Sequence, residues 1–205
     1  MSKTVVLLSG GIDSLVLAET ERNAGRLVGV VFVDYGHPAQ VAEGWKAFEY
    51  HGHTKTPLKV VHVFGLDLGA MQKATGASVV PSRNLMLLAA ASNAGVALGA
   101  DKILIGATSD DAVDYPDCRL ESLEATSEAF QLMGGLKVEA PLGHLSKREI
   151  VEMAKALGLK ASDAYSCYRP GPIPCGECFS CKQAAEAWSL SGDAEYWTRE
   201  RIEIL

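Results

Sequence analysis

The chain has 205 residues, a formal net charge of −6, and 21% charged residues against 48% hydrophobic residues. This length and composition fit a soluble globular protein with a sizeable core and argue against a disordered chain. No apolar run approaches the roughly 20 residues that a membrane span needs, and no signal-peptide pattern precedes the first predicted strand. An acidic chain without a basic cluster also matches a nucleic-acid backbone poorly. We therefore expect a cytoplasmic protein with neither a membrane nor a nucleic-acid partner.

The first predicted strand runs directly into a glycine-containing loop. The apolar run Val5-Val6-Leu7-Leu8 is followed by Ser9-Gly10-Gly11-Ile12-Asp13-Ser14, and helical spacing of apolar residues begins at about Leu15. Two adjacent glycines allow backbone amides to face an anion, and the next helix and the serine hydroxyls add donors. Asp13 would repel a bare phosphate, so it either shares a magnesium ion with one or caps the helix. The pattern predicts a phosphate site, although it is neither Gly-x4-Gly-Lys-Ser/Thr nor Gly-x-Gly-x-x-Gly.

Strands and helices alternate along the following sequence. Continuous apolar runs predict further strands at Leu27–Val33, Leu58–Phe64, Lys102–Ile105 and Lys137–Ala140. Apolar spacing predicts helices from about Leu15 to Asn23 and over Pro38–Tyr50, Leu85–Leu98, Glu121–Met133 and 146 to about 157. We expect loops at Gly65–Val80 and in the acidic segment 110–119. The alternation predicts an α/β fold with a doubly wound, mainly parallel, Rossmann-like sheet.

Local signals indicate where two helices begin and where ligands bind. Ser82 is a plausible N-cap for the helix at Leu85, and Ser146 with Glu149 matches a capping box. In doubly wound sheets, ligands bind beyond the carboxyl ends of the strands. The loop after Leu8 and the residues from Asp34 onward are therefore expected to face one crevice.

Four of the five cysteines lie close together near the C-terminal end of the sequence. The spacing is Cys167-x7-Cys175-x2-Cys178-x2-Cys181, in a stretch rich in proline and glycine. Such a stretch has little apolar material of its own, and four thiolates suit a closed, structural zinc site. An iron–sulfur cluster is the rival interpretation, and four reduced cysteines without a metal are the third. We divide the chain into residues 1–160 and a zinc-binding segment, 161–205, packed on them; the role of Cys118 stays open.

The Ser9–Ser14 loop resembles the pyrophosphate-binding loop of the N-type ATP pyrophosphatases, enzymes that split ATP into AMP and pyrophosphate. Over about residues 4 to 182, the chain resembles the 7-cyano-7-deazaguanine synthases of queuosine biosynthesis, whose fold is of the adenine nucleotide alpha hydrolase type. Besides the loop, the motifs that carry this resemblance are Val80-Pro81-Ser82-Arg83-Asn84, Tyr115-Pro116-Asp117-Cys118-Arg119, Leu145-Ser146-Lys147-Arg148-Glu149-Ile150, Ser166-Cys167-Tyr168 and Pro174 through Cys181.

The resemblance implies an ATP-dependent carbon–nitrogen ligase. Such an enzyme converts 7-carboxy-7-deazaguanine and ammonia to the nitrile 7-cyano-7-deazaguanine. The carboxylate is adenylated and displaced by ammonia, and the resulting amide is activated again and dehydrated. It also implies ATP with magnesium as co-substrate, ammonia taken up free because no glutaminase segment is visible, structural zinc and a homodimer.

The resemblance also implies site residues. The predicted catalytic residues are Asp13, Lys147, Asp117 and Arg119. The predicted nucleotide-binding residues are Leu8, Ser9, Gly10, Gly11, Asp13, Ser14, Asp34, Arg83, Asn84 and Gly106. The predicted zinc ligands are Cys167, Cys175, Cys178 and Cys181. His37, His62 and His144 are interpreted as ordinary polar residues.

The sequence departs from the family pattern at three places on the expected substrate side. His37 replaces the usual glutamine, Asp114 replaces a glycine, and Leu120-Glu121-Ser122 replaces Pro-Glu-Phe. One alternative is therefore a reaction that stops at the amide. The others are a related tRNA-modifying sulfurtransferase and, outside the enzymes, a zinc-ribbon module that only senses nucleotide.

Overall fold

A computed structural model of the chain describes residues 2–66, 71–72 and 78–191. Its strands are β1 (Thr4–Leu7), β2 (Leu27–Asp34), β3 (Leu58–His62), β4 (Met71–Gln72), β5 (Ser78–Val79), β6 (Lys102–Leu104) and β7 (Lys137–Glu139). Its helices are α1 (Ile12–Asn23), α2 (Gln40–Thr54), α3 (Arg83–Ala97), α4 (Asp111–Asp114), α5 (Leu120–Leu132), α6 (Lys147–Ala156) and α7 (Phe179–Leu190), with 3-10 turns at Pro116–Cys118 and Ala161–Asp163. None of the helices in these ranges is both long and apolar enough to cross a membrane.

Five strands form one parallel sheet in the order β3-β2-β1-β6-β7. The sheet is buried on both faces because its central strands are apolar at successive positions; Val5 and Val6 in β1 have no exposed surface. One face packs against α1, α2, α6 and α7, and the other packs against α3 and α5. The predicted α/β fold with a doubly wound parallel sheet is confirmed.

The connections of the sheet determine where a ligand can bind. From β1 the chain proceeds to β2 and β3 on one side, and then returns to β6 and β7 on the other. The order therefore reverses beside β1, and the loops after β1, β2 and β6 diverge there into a crevice. The loop that begins at Ser9 lies at this switch point.

Several predicted boundaries need correction. Helix α1 begins at Ile12, and α2 continues to Thr54 before Lys55 adopts a left-handed conformation. The predicted loop after Gly65 contains the antiparallel pair β4–β5, and its residues 67–70 and 73–77 lie outside the described part. The acidic loop contains α4 and a 3-10 turn, and α7 had no counterpart among the predicted helices. The elements within the two predicted loops have two to four residues, too few to give a periodic signal.

The two predicted caps have opposite outcomes. The Ser146 hydroxyl accepts a hydrogen bond from the Glu149 amide, and the Glu149 carboxylate accepts one from the Ser146 amide. The capping box of α6 is therefore confirmed. Ser82 precedes α3, but its backbone has φ of 58° and its side chain makes no cap hydrogen bond. The predicted Ser82 cap is wrong because a left-handed backbone does not direct the hydroxyl at the first helical amides.

Candidate active site at the carboxyl ends of the strands

Two adjoining cavities open where β1, β2 and β6 end. The first, which we call the strand-end cavity, has a volume of about 220 Å³ and apolar walls that include Phe32, Leu87 and Ile105. The second, the loop cavity, has a volume of about 160 Å³ and lies between the Ser9 loop, α6 and the cysteine-containing segment. The side chains that line both cavities are those of Ser9, Asp13, Glu43 and Asp111.

The tight turn after β1 depends on Gly10. Its φ is 78°, and a Cβ atom at this position would lie 2.6 Å from the carbonyl oxygen of Glu43. The Gly10 carbonyl accepts a hydrogen bond from the Tyr165 amide at 2.9 Å. Helix α1 then begins after Gly11, and no side chain caps its first amides. These amides and the positive end of the helix dipole are thus available to an anion in the loop cavity.

Asp13 does not cap α1. Instead, its two carboxylate oxygens lie 2.8 and 2.7 Å from the Lys147 ammonium nitrogen, in a largely buried ion pair. Burial raises the pKa of Asp13, and Asp111 adds to the rise against the opposing effect of Lys147. Burial alone would lower the pKa of Lys147, but Asp13 and Asp111 raise it, so the lysine stays charged at the loop cavity.

Asp111 is an acidic residue that the sequence analysis did not single out. Its Oδ2 atom accepts hydrogen bonds from the Thr108 amide at 3.1 Å and the Thr108 hydroxyl at 2.7 Å. The adjacent Asp110 accepts from the Lys147 amide at 2.7 Å, which ties the acidic segment to α6. The sequence signal that could have identified Asp111 is an acid a few residues after β6, at a strand end beside the switch point.

Glu43 was also missed as a site residue, and His37 lies beside it without lining either cavity. Glu43 reaches the cavities from the first turn of α2, and its Oε2 atom lies 2.8 Å from Nε2 of His37. The His37 ring stacks on Tyr35 with a centroid separation of 4.3 Å. Polar residues on an amphipathic helix usually face solvent, so spacing alone does not identify Glu43 as a site residue.

Arg83 and Asn84 begin α3 and line the strand-end cavity. The Arg83 guanidinium lies 5.7 Å from the ring centroid of Tyr115. The Asn84 backbone amide donates to Asp117 Oδ2 at 2.9 Å. The side-chain nitrogen of Asn84 donates to the Cys118 sulfur at 3.2 Å. Burial, with Asp111 and Asp117, raises the pKa of Cys118 to about 12, which keeps this thiol neutral.

The predicted site residues are not all brought together. Leu8, Ser9, Asp13, Ser14, Arg83, Asn84 and Gly106 line the strand-end cavity, and Gly11 and Lys147 line the loop cavity. Asp34 instead accepts hydrogen bonds from Gly36 and His62. Asp117 holds the start of α3, and the exposed Arg119 donates to the carbonyl of Ala112 at 3.2 Å. Asp34, Asp117 and Arg119 line neither cavity in the described part of the chain.

The four predicted metal ligands form one cluster. The sulfur atoms of Cys167, Cys175, Cys178 and Cys181 all lie within 4.8 Å of one another. Tetrahedral zinc with Zn–S bonds of ~2.3 Å requires sulfur–sulfur distances of about 3.8 Å, and Cys175 and Cys181 are 3.9 Å apart. Hydrogen bonding with Cys181 lowers the pKa of Cys178 to about 4. The donor set and its compactness fit a single tetrahedral ion.

The cysteine segment also forms one wall of the loop cavity. Tyr165, Ser166 and Tyr168 line it beside the first cysteine, and Ser180 and Gln183 line it from α7. The Tyr168 hydroxyl lies 2.7 Å from the Tyr115 hydroxyl, which links this wall to the strand-end cavity. A metal that orders the cysteine segment would therefore also hold one side of the site.

Comparisons with known proteins agree with this geometry. The family model "Queuosine biosynthesis protein QueC" matches residues 66–192. A 7-cyano-7-deazaguanine synthase of Thermoplasma acidophilum is 32% identical over 94% of this chain and 90% of its own length. A 7-cyano-7-deazaguanine synthase 2 of Desulfitobacterium hafniense is 33% identical over 94% of this chain and 91% of its own length.

Among solved structures, the U34-tRNA thiolase NcsA of Methanococcus maripaludis with its [4Fe-4S] cluster aligns with a TM-score of 0.56. The alignment covers 99% of this chain and 72% of that one at 17% identity, which supports the fold alone. The sequence matches are more specific, since their identity exceeds 30% over nearly the whole of both chains. On these grounds the chain belongs to the queuosine biosynthesis protein QueC family.

Proposed function

We propose that the protein is a 7-cyano-7-deazaguanine synthase that consumes ATP and ammonia and passes through an adenylated carboxylate and an adenylated amide. The observation that carries this proposal is the family membership together with the two cavities that meet at Asp13. The apolar strand-end cavity suits flat heterocycles, and the loop cavity, with free helix amides and Lys147, suits a pyrophosphate. A carboxylate oxygen is a poor leaving group, and transfer to phosphorus makes it a good one.

The Ser9–Ser14 loop and Lys147 would stabilise the charge that develops on pyrophosphate. We assign the phosphate contacts to Ser9, Gly10, Gly11 and Ser14, with Lys147 as a fixed positive charge. When bound, magnesium would be held by Asp13 and Asp111 and would supply further charge neutralisation, because carboxylate oxygens are ligands this ion prefers. Leu8 and Gly106 would border the nucleotide.

Arg83 is the cation of the strand-end cavity, and we assign it to the substrate carboxylate or the α-phosphate. Asn84 would stand beside it. Asp117 would act by fixing the start of α3, supported by its hydrogen bond to Asn84. We retain Asp34 and Arg119 as predicted site residues. Substrate binding would have to replace the hydrogen bonds that they make in this structure.

We further propose structural zinc at the cysteine cluster, a cytoplasmic location, no nucleic-acid partner and a homodimer. The donor set supports zinc, since four thiolates close the coordination sphere. The exposed apolar side chains of Val41, Trp45 and Phe48 on α2 support self-association.

The test is mass spectrometry of small molecules after the zinc-loaded protein is incubated with ATP, magnesium, ammonium and 7-carboxy-7-deazaguanine. We expect the nitrile, with AMP formed in step with it. Accumulation of the amide would attribute the departures at His37, Asp114 and Ser122 to a shortened reaction. Folded, zinc-loaded protein that consumes neither substrate would overturn the proposed function.

A further inference from the structure

Glu43 occupies a position that the assigned roles leave unexplained. Glu43 lines both cavities, so it borders the place where an acyl group in the strand-end cavity would meet the phosphates of the loop cavity. Neither the binding of pyrophosphate nor the packing of an apolar ring needs a carboxylate there. A base is nevertheless needed, because the nitrogen of an ammonium ion must give up all its protons before it becomes a nitrile nitrogen.

The other carboxylates that line both cavities are less able to accept a proton. Asp13 is bound through both oxygens to Lys147. Asp111 accepts two hydrogen bonds from Thr108 on one oxygen. Within the described part of the chain, the side chain of Glu43 has only the His37 ring as a hydrogen-bond partner, through Oε2. Its Oε1 atom is thus open to a further donor, and Glu43, unlike Asp13 and Asp111, is not assigned to magnesium.

His37 is placed to orient this carboxylate. Its Nε2 atom lies 2.8 Å from Glu43, its ring stacks on Tyr35, and only 12% of its side chain is exposed. Its Nδ1 atom is buried without a hydrogen-bond partner among the described residues. A buried Nδ1–H would carry a heavy desolvation cost, so we assign the neutral tautomer, in which Nε2–H donates to Glu43.

We propose that Glu43 is the general base of the amidation and dehydration steps, and that His37 is its positioning residue. The proposal rests on the proposed function. In amidation, an ammonium ion first transfers one proton to Glu43, and the lone pair of the resulting ammonia forms the C–N bond to the acyl adenylate. The C–O bond to AMP breaks with its electron pair on the phosphate oxygen, Glu43 releases its proton to solvent, and the nitrogen transfers a second proton to the regenerated carboxylate. Dehydration removes the last two protons, one at each of the O-adenylation and AMP-release steps, and Glu43 again accepts each proton and releases it to solvent.

Other charged and titratable groups contact Glu43 or line the same cavities. They are His37 and Tyr35 after β2, Asp13 on α1, Asp111 on α4, Lys147 on α6 and Tyr165 before the cysteine cluster. Burial is the main cause that raises the pKa of Tyr35, so this phenol does not compete as a base near neutral pH. Lys147 stays protonated beside Asp13 and cannot accept a proton.

The experiment separates adenylation of the substrate carboxylate from attack by the ammonia nitrogen. Glu43→Gln is assayed for exchange of labelled pyrophosphate into ATP with 7-carboxy-7-deazaguanine, for hydroxamate formation with hydroxylamine, and for amide and nitrile formation with ammonium. We expect exchange and hydroxamate formation to persist, because hydroxylamine is already neutral near pH 7. Amide and nitrile formation should fall by about 100-fold, a typical contribution of a general base. The deficit should shrink as pH rises and free ammonia replaces ammonium.

Matched variants control for a structural effect. Glu49→Gln lies on the same helix, where Glu49 pairs with Lys46 outside both cavities, and should behave as the parent. His37→Gln keeps an N–H donor and should retain more amidation than His37→Leu. Loss of pyrophosphate exchange in Glu43→Gln, or unchanged amidation, would overturn the base assignment. A parent protein with no exchange and no nitrile would instead overturn the proposed function.

Discussion

The loop after β1 and the cysteine segment border the same cavity but are held in place in different ways. The loop follows a strand with fully buried valines and precedes a helix whose apolar face packs into the core. Between Cys167 and Cys178, prolines and glycines prevail, and several backbone amides donate to sulfur: those of Arg169 and Cys175 to Cys167, and those of Glu177 and Cys178 to Cys175. Burial orders the first region, whereas the second combines the buried Cys167 and Cys181 with these hydrogen bonds to sulfur.

Because of this difference, one wall of the site can lose its order while the other wall stays folded. The loop keeps its shape without a ligand, since the sheet behind it supplies the apolar burial. For the cysteine segment, we propose that a metal neutralises the four thiolates and that the order of the segment follows metal occupancy. The site should therefore lose its second wall well before the sheet unfolds.

The largest expected effect comes from Cys178→Ser. Loss of one thiolate should lower the metal content and cost about 4 kcal/mol, equivalent to a Tm decrease of roughly 10 °C for a chain of this size. Hydrogen exchange should rise in 165–190 first, while the amides of β1 stay protected. Metal analysis, calorimetry and exchange by mass spectrometry provide the measurements.

Cys118→Ser is the matched control, because Cys118 is buried outside the cluster and a hydroxyl can still accept from Asn84. It should keep the full metal content. If Cys178→Ser retained its metal and melted like the parent, the idea that metal orders this wall would fail.

A smaller effect is expected at the Asp13–Lys147 pair, which joins α1 to α6 beside both regions. Lys147→Met leaves the largely buried Asp13 carboxylate without its partner, which should cost about 3 kcal/mol in the free energy of unfolding. The double variant Asp13→Asn/Lys147→Met removes both charges and should recover most of that loss. Both variants should fail to form AMP. Urea unfolding and an AMP assay measure the two properties.

The pair also tests whether its charges serve catalysis or structure. Equal stability of Lys147→Met and the parent would show that water already solvates Asp13. Near-normal AMP formation by the double variant would contradict the roles assigned to both residues.

Sequence patterns predicted the buried sheet and its helices better than the residues that reach the cavities. Valine-rich strands and the Ser146–Glu149 capping box have local signals, so their positions were found within a few residues. The cysteine spacing predicted a cluster because thiolates at short spacing have few other uses. Glu43 and Asp111 were missed because each reaches the cavities only through the packing of its element on the sheet. The Ser82 cap was predicted wrongly because a sequence motif gives the residue type but not its left-handed backbone conformation.

The smallest of these effects concerns the loop itself. Gly10→Ala should cost about 2 kcal/mol more than Gly25→Ala, because both glycines have positive φ but only Gly10 lies against a backbone carbonyl. The Cβ atom that Gly10→Ala introduces would push α2 away from the loop at Glu43, so amidation should fall even in folded protein. Gly25→Ala meets nothing within 4 Å and should leave activity unchanged. Equal unfolding midpoints in urea for the two variants would mean that the loop relaxes freely, and that the sheet behind it does not fix its shape.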